Sequence, residues 1–391
     1  MAKVPVAPLL VRNTTALLGG QLVPGMDLML RDGLIAAVGP GLEAGDAAVF
    51  DARGAIAGPG LIDIHVHGGG GASFFSRDAA QLSRYASWAP SRGVTAFLAS
   101  TAGRHPADTC RTLEGLAPLV GHTSGAELLG FHLEGPFLSP ARHGAFDVET
   151  LREPDIAELG RYITTAEGHL RQVTLAPELA GALDVIRALG ESGVVAALGH
   201  SDATTAEARA GFEAGATHVT HLFNAMRPVH QREGGIAVAA LLESGATCEL
   251  ICDGAHVAPE MLRLAWALLG PERFVTVTDN LALAGTGGDA AEFLGGAVEV
   301  RGEAAVRPDG TITGSVLPMD GHFRNLYDLV GLDLPSAFAA CAANPARVAG
   351  AGHRKGVIRE GFDADIVLLD EARSVVATIA RGALVYESAS A

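Results

Sequence analysis

Lysine is nearly missing from this chain: 391 residues contain two, Lys3 and Lys355. Both lie outside the stretch that carries the strand–helix pattern described below. That excludes hydrolases that bridge two ions with a carboxylated barrel lysine. Cysteine is scarce too. Cys110, Cys248, Cys252 and Cys341 form no CxxC pair and no disulfide framework, which fits a reducing compartment. Cys248 and Cys252 share one apolar run and read as core packing. No apolar run reaches the ~18 residues of a membrane span. The opening MAKVPVAPLL lacks the basic-then-apolar pattern of a secretory signal, so the cytoplasm is the expected location. Positive charge is in deficit, with a formal net charge of -16. That argues against nucleic acid or an anionic membrane as partner. A small anionic substrate, needing only one or two local cations, remains open.

The length suffices for one large domain and a smaller one. With 48% hydrophobic and 18% charged residues, the composition is globular. Short Val/Ala/Leu-rich runs alternate with Ala-rich amphipathic stretches. They predict strands at 61–67, 94–100, 127–134, 171–176, 194–200, 217–221, 247–253 and 273–279. Eight strands alternating with helices predict a parallel (β/α)8 TIM-type barrel. Segments 8–56 and 356–388 carry short alternating runs with glycine turns. They predict a small β-sandwich domain made by both ends of the chain. The expected division is 1–57 plus 355–391 for the small domain and 58–354 for the barrel. Residues 282–315 are Gly-rich and read as an insertion after the eighth strand.

Metal-type ligands stand where the apolar runs end. His65 and His67 close LIDIHVH, Glu134 closes ELLGFHLE, His200 closes VVAALGH, His221 closes THVTH and Asp279 closes RFVTVTD. In a β/α barrel these ends share the C-terminal face, where active sites lie. His65 and His67, two apart on a strand, point to one side and can reach one ion. A carboxylate such as Glu134 at the end of an apolar strand is costly to bury without a partner; a metal is one such partner and an arginine another. A lone strand-end histidine is more often a core residue, but His200 and His221 together with Glu134 favour a site for zinc, iron or another first-row divalent ion. One Glu and two His leave a position open for water. Asp279 either caps the following turn or serves as general base; the second is favoured. If two ions bind, Glu134 is the natural bridge, and His65 and His67 complete the second position.

The motifs GPGLIDIHVHG, FHLEGPF, VTLAPE, GHSDAT, THLFNAM, DGAHV, VTD, GSVLPM and NPAR together resemble the N-acetylglucosamine-6-phosphate deacetylase family of the amidohydrolase superfamily, over nearly the whole chain. The resemblance implies metal-dependent hydrolysis of the acetamide of an amino-sugar phosphate. It implies Glu134, His200 and His221 as ligands of the catalytic metal and Asp279 as acid/base. It further implies substrate contacts at Gly135, Asn224, Ala225 and His256. Arg232 would bind the substrate phosphate, in the neighbouring subunit of a homodimer; a guanidinium fork suits phosphate.

Three positions depart from the family pattern. Phe146 stands where the family usually has a histidine that helps polarise the acetyl carbonyl. Asn280 replaces a small residue and Pro318 a threonine. A second ion at His65 and His67, or His143 turning inward, would make good the donor lost at Phe146. The departures also keep open an amidohydrolase acting on a different N-acyl amino sugar or another amide; a barrel relative without activity is a further alternative, against which the complete ligand set argues.

Overall fold

A computed structural model describes residues 6–76, 78–102 and 105–389. Lys3 lies outside them. Eight parallel strands, each hydrogen-bonded to the next in chain order, form the central sheet. They are Leu61–Val66, Val94–Ala102, Glu127–Glu134, Leu170–Leu175, Val195–Leu198, His218–Val219, Thr247–Ile251 and Phe274–Val277. All eight predicted strands are present; the fifth, sixth and eighth are shorter than expected at their ends, where the chain turns sharply at His200, His221 and Asp279. Helices connect them, packed over strands that are buried on both faces, as parallel sheets require. Several helices start on side-chain caps, such as Asp155 on the Glu158 N–H and a Thr204–Glu207 capping box.

The first and last strands meet without a regular ladder. Their seam is closed by single bonds: the Asp279 N–H donates to the His65 carbonyl at 2.9 Å, and the His67 N–H donates to the Asn280 carbonyl at 2.9 Å. Thr278 Oγ1 donates to Asp63 Oδ2 at 2.6 Å. The barrel is thus nearly closed, and its closure runs through the predicted site.

Both ends of the chain build a separate eight-stranded sheet. Ile366–Leu369 runs antiparallel to Ile56–Pro59 and joins the C-terminal strands to the N-terminal ones. Two N-terminal strands are longer than the sequence suggests, Leu9–Leu18 and Gln21–Arg31. The first of them also pairs in parallel with Ala48–Asp51 and with Ile56–Pro59. This sheet has its own apolar cluster, including Val11, Leu28, Ile35, Ile366 and Ile379.

An ionic cluster sits where the third barrel strand begins, at the end of the barrel away from Glu134. Lys355 Nζ lies 2.7 Å from Glu127 and 2.9 Å from Asp363, and also bonds Asp365. Arg354 adds a 2.8 Å bond to Glu127. Lys355 is 3% exposed, so three carboxylates must compensate its burial.

The insertion after the eighth strand is a sheet of its own. Ala290–Phe293, Gly296–Arg301, Ala304–Val306 and Ile312–Ser315 pair antiparallel in that order.

Candidate active site

The residues that close the strands leave the strand conformation abruptly. His200 has φ 48, His221 φ 26 and Asp279 φ 50, all in the left-handed region. For residues other than glycine this costs of order 1–3 kcal/mol each and persists only where the surroundings impose it. Here they do. The His200 carbonyl accepts from the Ser139 N–H at 2.9 Å and the His221 carbonyl from the Asn224 N–H at 3.0 Å. The Asp279 carbonyl accepts from the Ser315 N–H at 3.0 Å. Each kinked residue presents its side chain to one cavity.

Residues from the ends of five strands thereby converge, with Glu134 among them. Its Oε1 lies 3.0 Å from His200 Nε2, 3.0 Å from His221 Nε2 and 3.5 Å from His65 Nε2. Its Oε2 lies 3.1 Å from His67 Nε2. Asp279 Oδ1 lies 3.2 Å from His67 Nε2 and 3.6 Å from His65 Nε2. Two groups of metal-type ligands result: Glu134 with His200 and His221, and His65 with His67 and Asp279.

The outer nitrogens decide what these groups can hold. His200 Nδ1 donates to the Arg142 carbonyl at 2.9 Å, His67 Nδ1 to the Ser100 carbonyl at 3.2 Å, and His65 Nδ1 to Glu249 at 2.8 Å. A neutral imidazole carries one proton, so each of these rings presents a bare Nε2 lone pair to the carboxylates. His200 Nε2 and His221 Nε2 are only 3.0 Å apart. His65 Nε2 is buried without a hydrogen-bond partner among the described residues. Lone pairs of nitrogen and carboxylate oxygen crowded together repel unless a cation lies between them. Separations near 3 Å match neighbouring ligands bound at about 2.0–2.1 Å. The donor set therefore fits a divalent metal.

Electrostatics point the same way. Burial tends to discharge His67, yet hydrogen bonds to Asp279 and Glu134 push its pKa up to about 9. Burial likewise opposes the Glu134 charge, but His65 and the hydrogen-bonded His200 and His221 hold that carboxylate well below its ordinary range. The site calls for positive charge, and protons supply it where a metal would.

Above the ligands lies a cavity of about 300 Å³. His67, Glu134, His200, His221 and Asp279 face it. Asn224, Ala225 and His256 line one side; Phe146, Phe293 and Ile312 give an apolar wall. The family model of the amidohydrolases matches residues 56–385.

The chain belongs to the amidohydrolase family.

Its relatives narrow the branch. An N-acetylglucosamine-6-phosphate deacetylase from Bacillus subtilis is 37% identical over 337 residues, 85% of each chain. An N-acetylgalactosamine-6-phosphate deacetylase from Escherichia coli O157:H7 is 35% identical over 344 residues, 88% of this chain and 90% of that one. Among solved structures, a mutant N-acetyl-D-glucosamine-6-phosphate deacetylase from Mycobacterium smegmatis, in complex with N-acetyl-D-glucosamine-6-phosphate, superimposes with a TM-score of 0.89 at 36% identity, covering 97% of this chain and 99% of that chain. This amidohydrolase is thus a member of the N-acetylglucosamine-6-phosphate deacetylase family.

Two predicted substrate residues of this amidohydrolase stand apart from the cavity. Gly135 directs its N–H to the Thr174 carbonyl at 3.2 Å and is not among the lining residues. Arg232 is exposed and does not reach the cavity of its own chain. His65 lies behind the lining, fully buried. Phe146 faces the cavity and packs edge-on against His200, with ring centroids 5.2 Å apart. His143 does not take its place: His143 Nδ1 donates to the Phe146 carbonyl at 2.8 Å, and the residue does not line the cavity. Asn280 is buried in the barrel seam and Pro318 precedes the helix Met319–Asn325; neither lines the cavity.

Sequence reasoning missed three contributors to this amidohydrolase's site. The insertion expected after the eighth strand supplies Phe293 and Thr311 to Gly314 to the cavity; weak alternation among glycines hid its strands and this role. Asp253 holds His256 through its ring, at 2.6 Å. Glu249 holds His65. A charged residue inside the apolar run TCELIC was the available signal.

Proposed function

We propose that this chain is a metal-dependent deacetylase that hydrolyses N-acetylglucosamine-6-phosphate to glucosamine-6-phosphate and acetate in amino-sugar catabolism. The observation that carries this reading is the convergence of Glu134, four histidine Nε2 atoms and Asp279 at the floor of one cavity. The printed names of the relatives support the substrate. The relative named for the galacto sugar supports a second reading, the same hydrolysis of N-acetylgalactosamine-6-phosphate.

Glu134, His200 and His221 would hold the catalytic cation, with His65, His67 and Asp279 offering a second position. Zinc or iron suits this mixture of neutral imidazole and carboxylate, at one or two ions per chain. Such a cation, when bound, acidifies water and polarises an amide carbonyl. Asp279 takes a proton from the attacking water and then delivers it to the amide nitrogen, so that the amine leaves neutral. Asp279 is suited to both steps because its carboxylate faces the cavity beside the ligands. His256 accepts a hydrogen bond from a sugar hydroxyl. Asn224 and Ala225 position the substrate through their backbone, in a turn where Ala225 has φ 48. Arg232, exposed on its own chain, serves the phosphate in a second copy, so the working form is a cytoplasmic homodimer.

The test is acetate release by purified protein loaded with zinc, iron or cobalt. N-acetylglucosamine-6-phosphate, its galacto isomer and unphosphorylated N-acetylglucosamine are compared. Rapid metal-dependent release from a phosphorylated sugar is expected, with much slower release from the unphosphorylated one. No release from folded, metal-loaded protein overturns the reading.

A further inference from the structure

Glu249 is a charged residue in the middle of the seventh barrel strand, with 0% exposure. Removing an ionised carboxylate from water costs several kcal/mol, and only well-placed donors offset that cost. Four donors surround it. Glu249 Oε2 accepts from His65 Nδ1 at 2.8 Å and from the His221 backbone N–H at 3.2 Å. Glu249 Oε1 accepts from Gln172 Nε2 at 2.8 Å and from His218 Nε2 at 3.0 Å. His218 is itself held by Thr247 through its other nitrogen, at 2.6 Å. An aliphatic residue would pack this strand at none of these costs, so the carboxylate needs an explanation beyond packing.

The two donors on Oε2 come from different ligand groups. His65 belongs to the group with His67 and Asp279, and His221 to the group with Glu134 and His200. With its Nδ1 proton committed to Glu249, neutral His65 turns a bare Nε2 toward Glu134 at 3.5 Å and Asp279 at 3.6 Å. That nitrogen has no hydrogen-bond partner among the described residues. A buried lone pair aimed between two carboxylates has a divalent cation as its fitting partner. His221, at φ 26, needs its backbone held, and the same Glu249 oxygen accepts from its N–H.

We infer that Glu249 is a positioning residue for the metal centre: one carboxylate oxygen fixes the His65 tautomer that leaves Nε2 free for a cation and pins the turn that aims His221. The inference rests on the metal reading proposed above. It makes the two ligand groups one unit, in which the second cation position depends on a residue that touches neither ion.

Three proteins are compared: the unsubstituted chain, Glu249→Met and Glu249→Gln. Methionine keeps volume and removes both acceptors. Glutamine keeps an acceptor for His65, with the Gln172 amide free to turn over and meet the new NH2. Metal content after zinc loading is measured, together with cobalt titration followed by visible absorption. Glu249→Met is expected to lose the ion at the His65 group or to bind it roughly 10–100-fold more weakly, while Glu249→Gln stays close to the unsubstituted protein. Equal metal content and affinity in Glu249→Met overturn the inference. Equal losses in both variants also overturn it, because they indicate a need for buried charge and not for the His65 acceptor. If Glu249→Met does not fold, the histidine tautomers of the unsubstituted, metal-free protein decide, read from long-range 1H–15N correlations with His65 assigned by His65→Gln. A proton on His65 Nδ1 is expected, and an Nδ1 without a proton overturns the inference. An unsubstituted protein that binds no divalent ion would instead sink the proposed function, and the tautomer would still be readable.

Discussion

Asp253 grips His256 twice: its Oδ2 lies 2.6 Å from His256 Nδ1, and its Oδ1 accepts from the His256 backbone N–H at 2.9 Å. The same Oδ1 takes the Ala255 N–H at 2.9 Å. Burial opposes the Asp253 charge, yet the His256 hydrogen bond holds its pKa at about 2. The Nδ1 proton is thereby committed inward, and Nε2 is left as an acceptor for a sugar hydroxyl. In Asp253→Asn the charge is lost and the ring orientation loosens. Since hydrogen bonds to charged groups contribute ≈ 1.5–3 kcal/mol, KM should rise about 10-fold or more with a smaller change in kcat. Steady-state kinetics check the split; a fall in kcat alone would contradict it.

Asp279→Asn should cut kcat by roughly 10²–10⁴-fold, the usual worth of a positioned acid/base. Asparagine tolerates the left-handed backbone at this position, so the melting temperature should change little. Initial rates and thermal unfolding are measured on the same preparation. A large loss of stability would mean that the variant reports folding and not proton transfer.

Phe146→His should raise turnover on N-acetylglucosamine-6-phosphate. The ring at this position faces the cavity beside His200, and a nitrogen there can donate to the developing oxyanion. One such donor is worth ≈ 10²–10³ where the site is built around it; a grafted one should give on the order of 10-fold. Unchanged or reduced turnover in metal-loaded enzyme would argue that the second cation position already supplies what Phe146 lacks.

Glu127 should govern acid stability. Burial tends to raise its pKa, but Lys355 and Arg354 bring it down to about 2, from an ordinary 4.5. A lowered carboxylate pKa stabilises the fold fully above the unfolded value, and that contribution fades as pH falls from about 4.5 toward 2. The shift corresponds to on the order of 3 kcal/mol. Glu127→Gln should therefore destabilise strongly near neutral pH, by about 3–5 kcal/mol because Lys355 loses a buried partner. The gap to the unsubstituted protein should close below pH 4. Urea unfolding across pH 2–7 measures both.

The barrel was legible because its periodicity is local: each apolar run followed by an amphipathic stretch reports one strand and one helix. The residues that the structure gathers into two groups able to hold an ion stood out for a related reason. A polar residue that ends an apolar run, as in Glu134 or His200, stands out against its neighbours. What the sequence concealed depends on contacts across the fold. Glu249 acts on His65 only after strands far apart in sequence are brought side by side; Asp253 stands three residues from His256, but a turn and not a periodic pattern brings the two together. The parallel pairing of Leu9–Leu18 was hidden too, because alternation specifies a strand but not its partner. The insertion at 282–315 was legible, but its four-stranded sheet was not, because its strands are short and its turns are glycine-rich.

The burial of Lys355 has a practical consequence. Reagents that acylate primary amines should pass over this lysine while the terminal sheet and the barrel stay locked together, since its Nζ is surrounded by Glu127, Asp363 and Asp365. Once the two part, the same amine opens to solvent and reacts. In a chain with only one other lysine, a single mass-tagged peptide would serve as a clock for that separation.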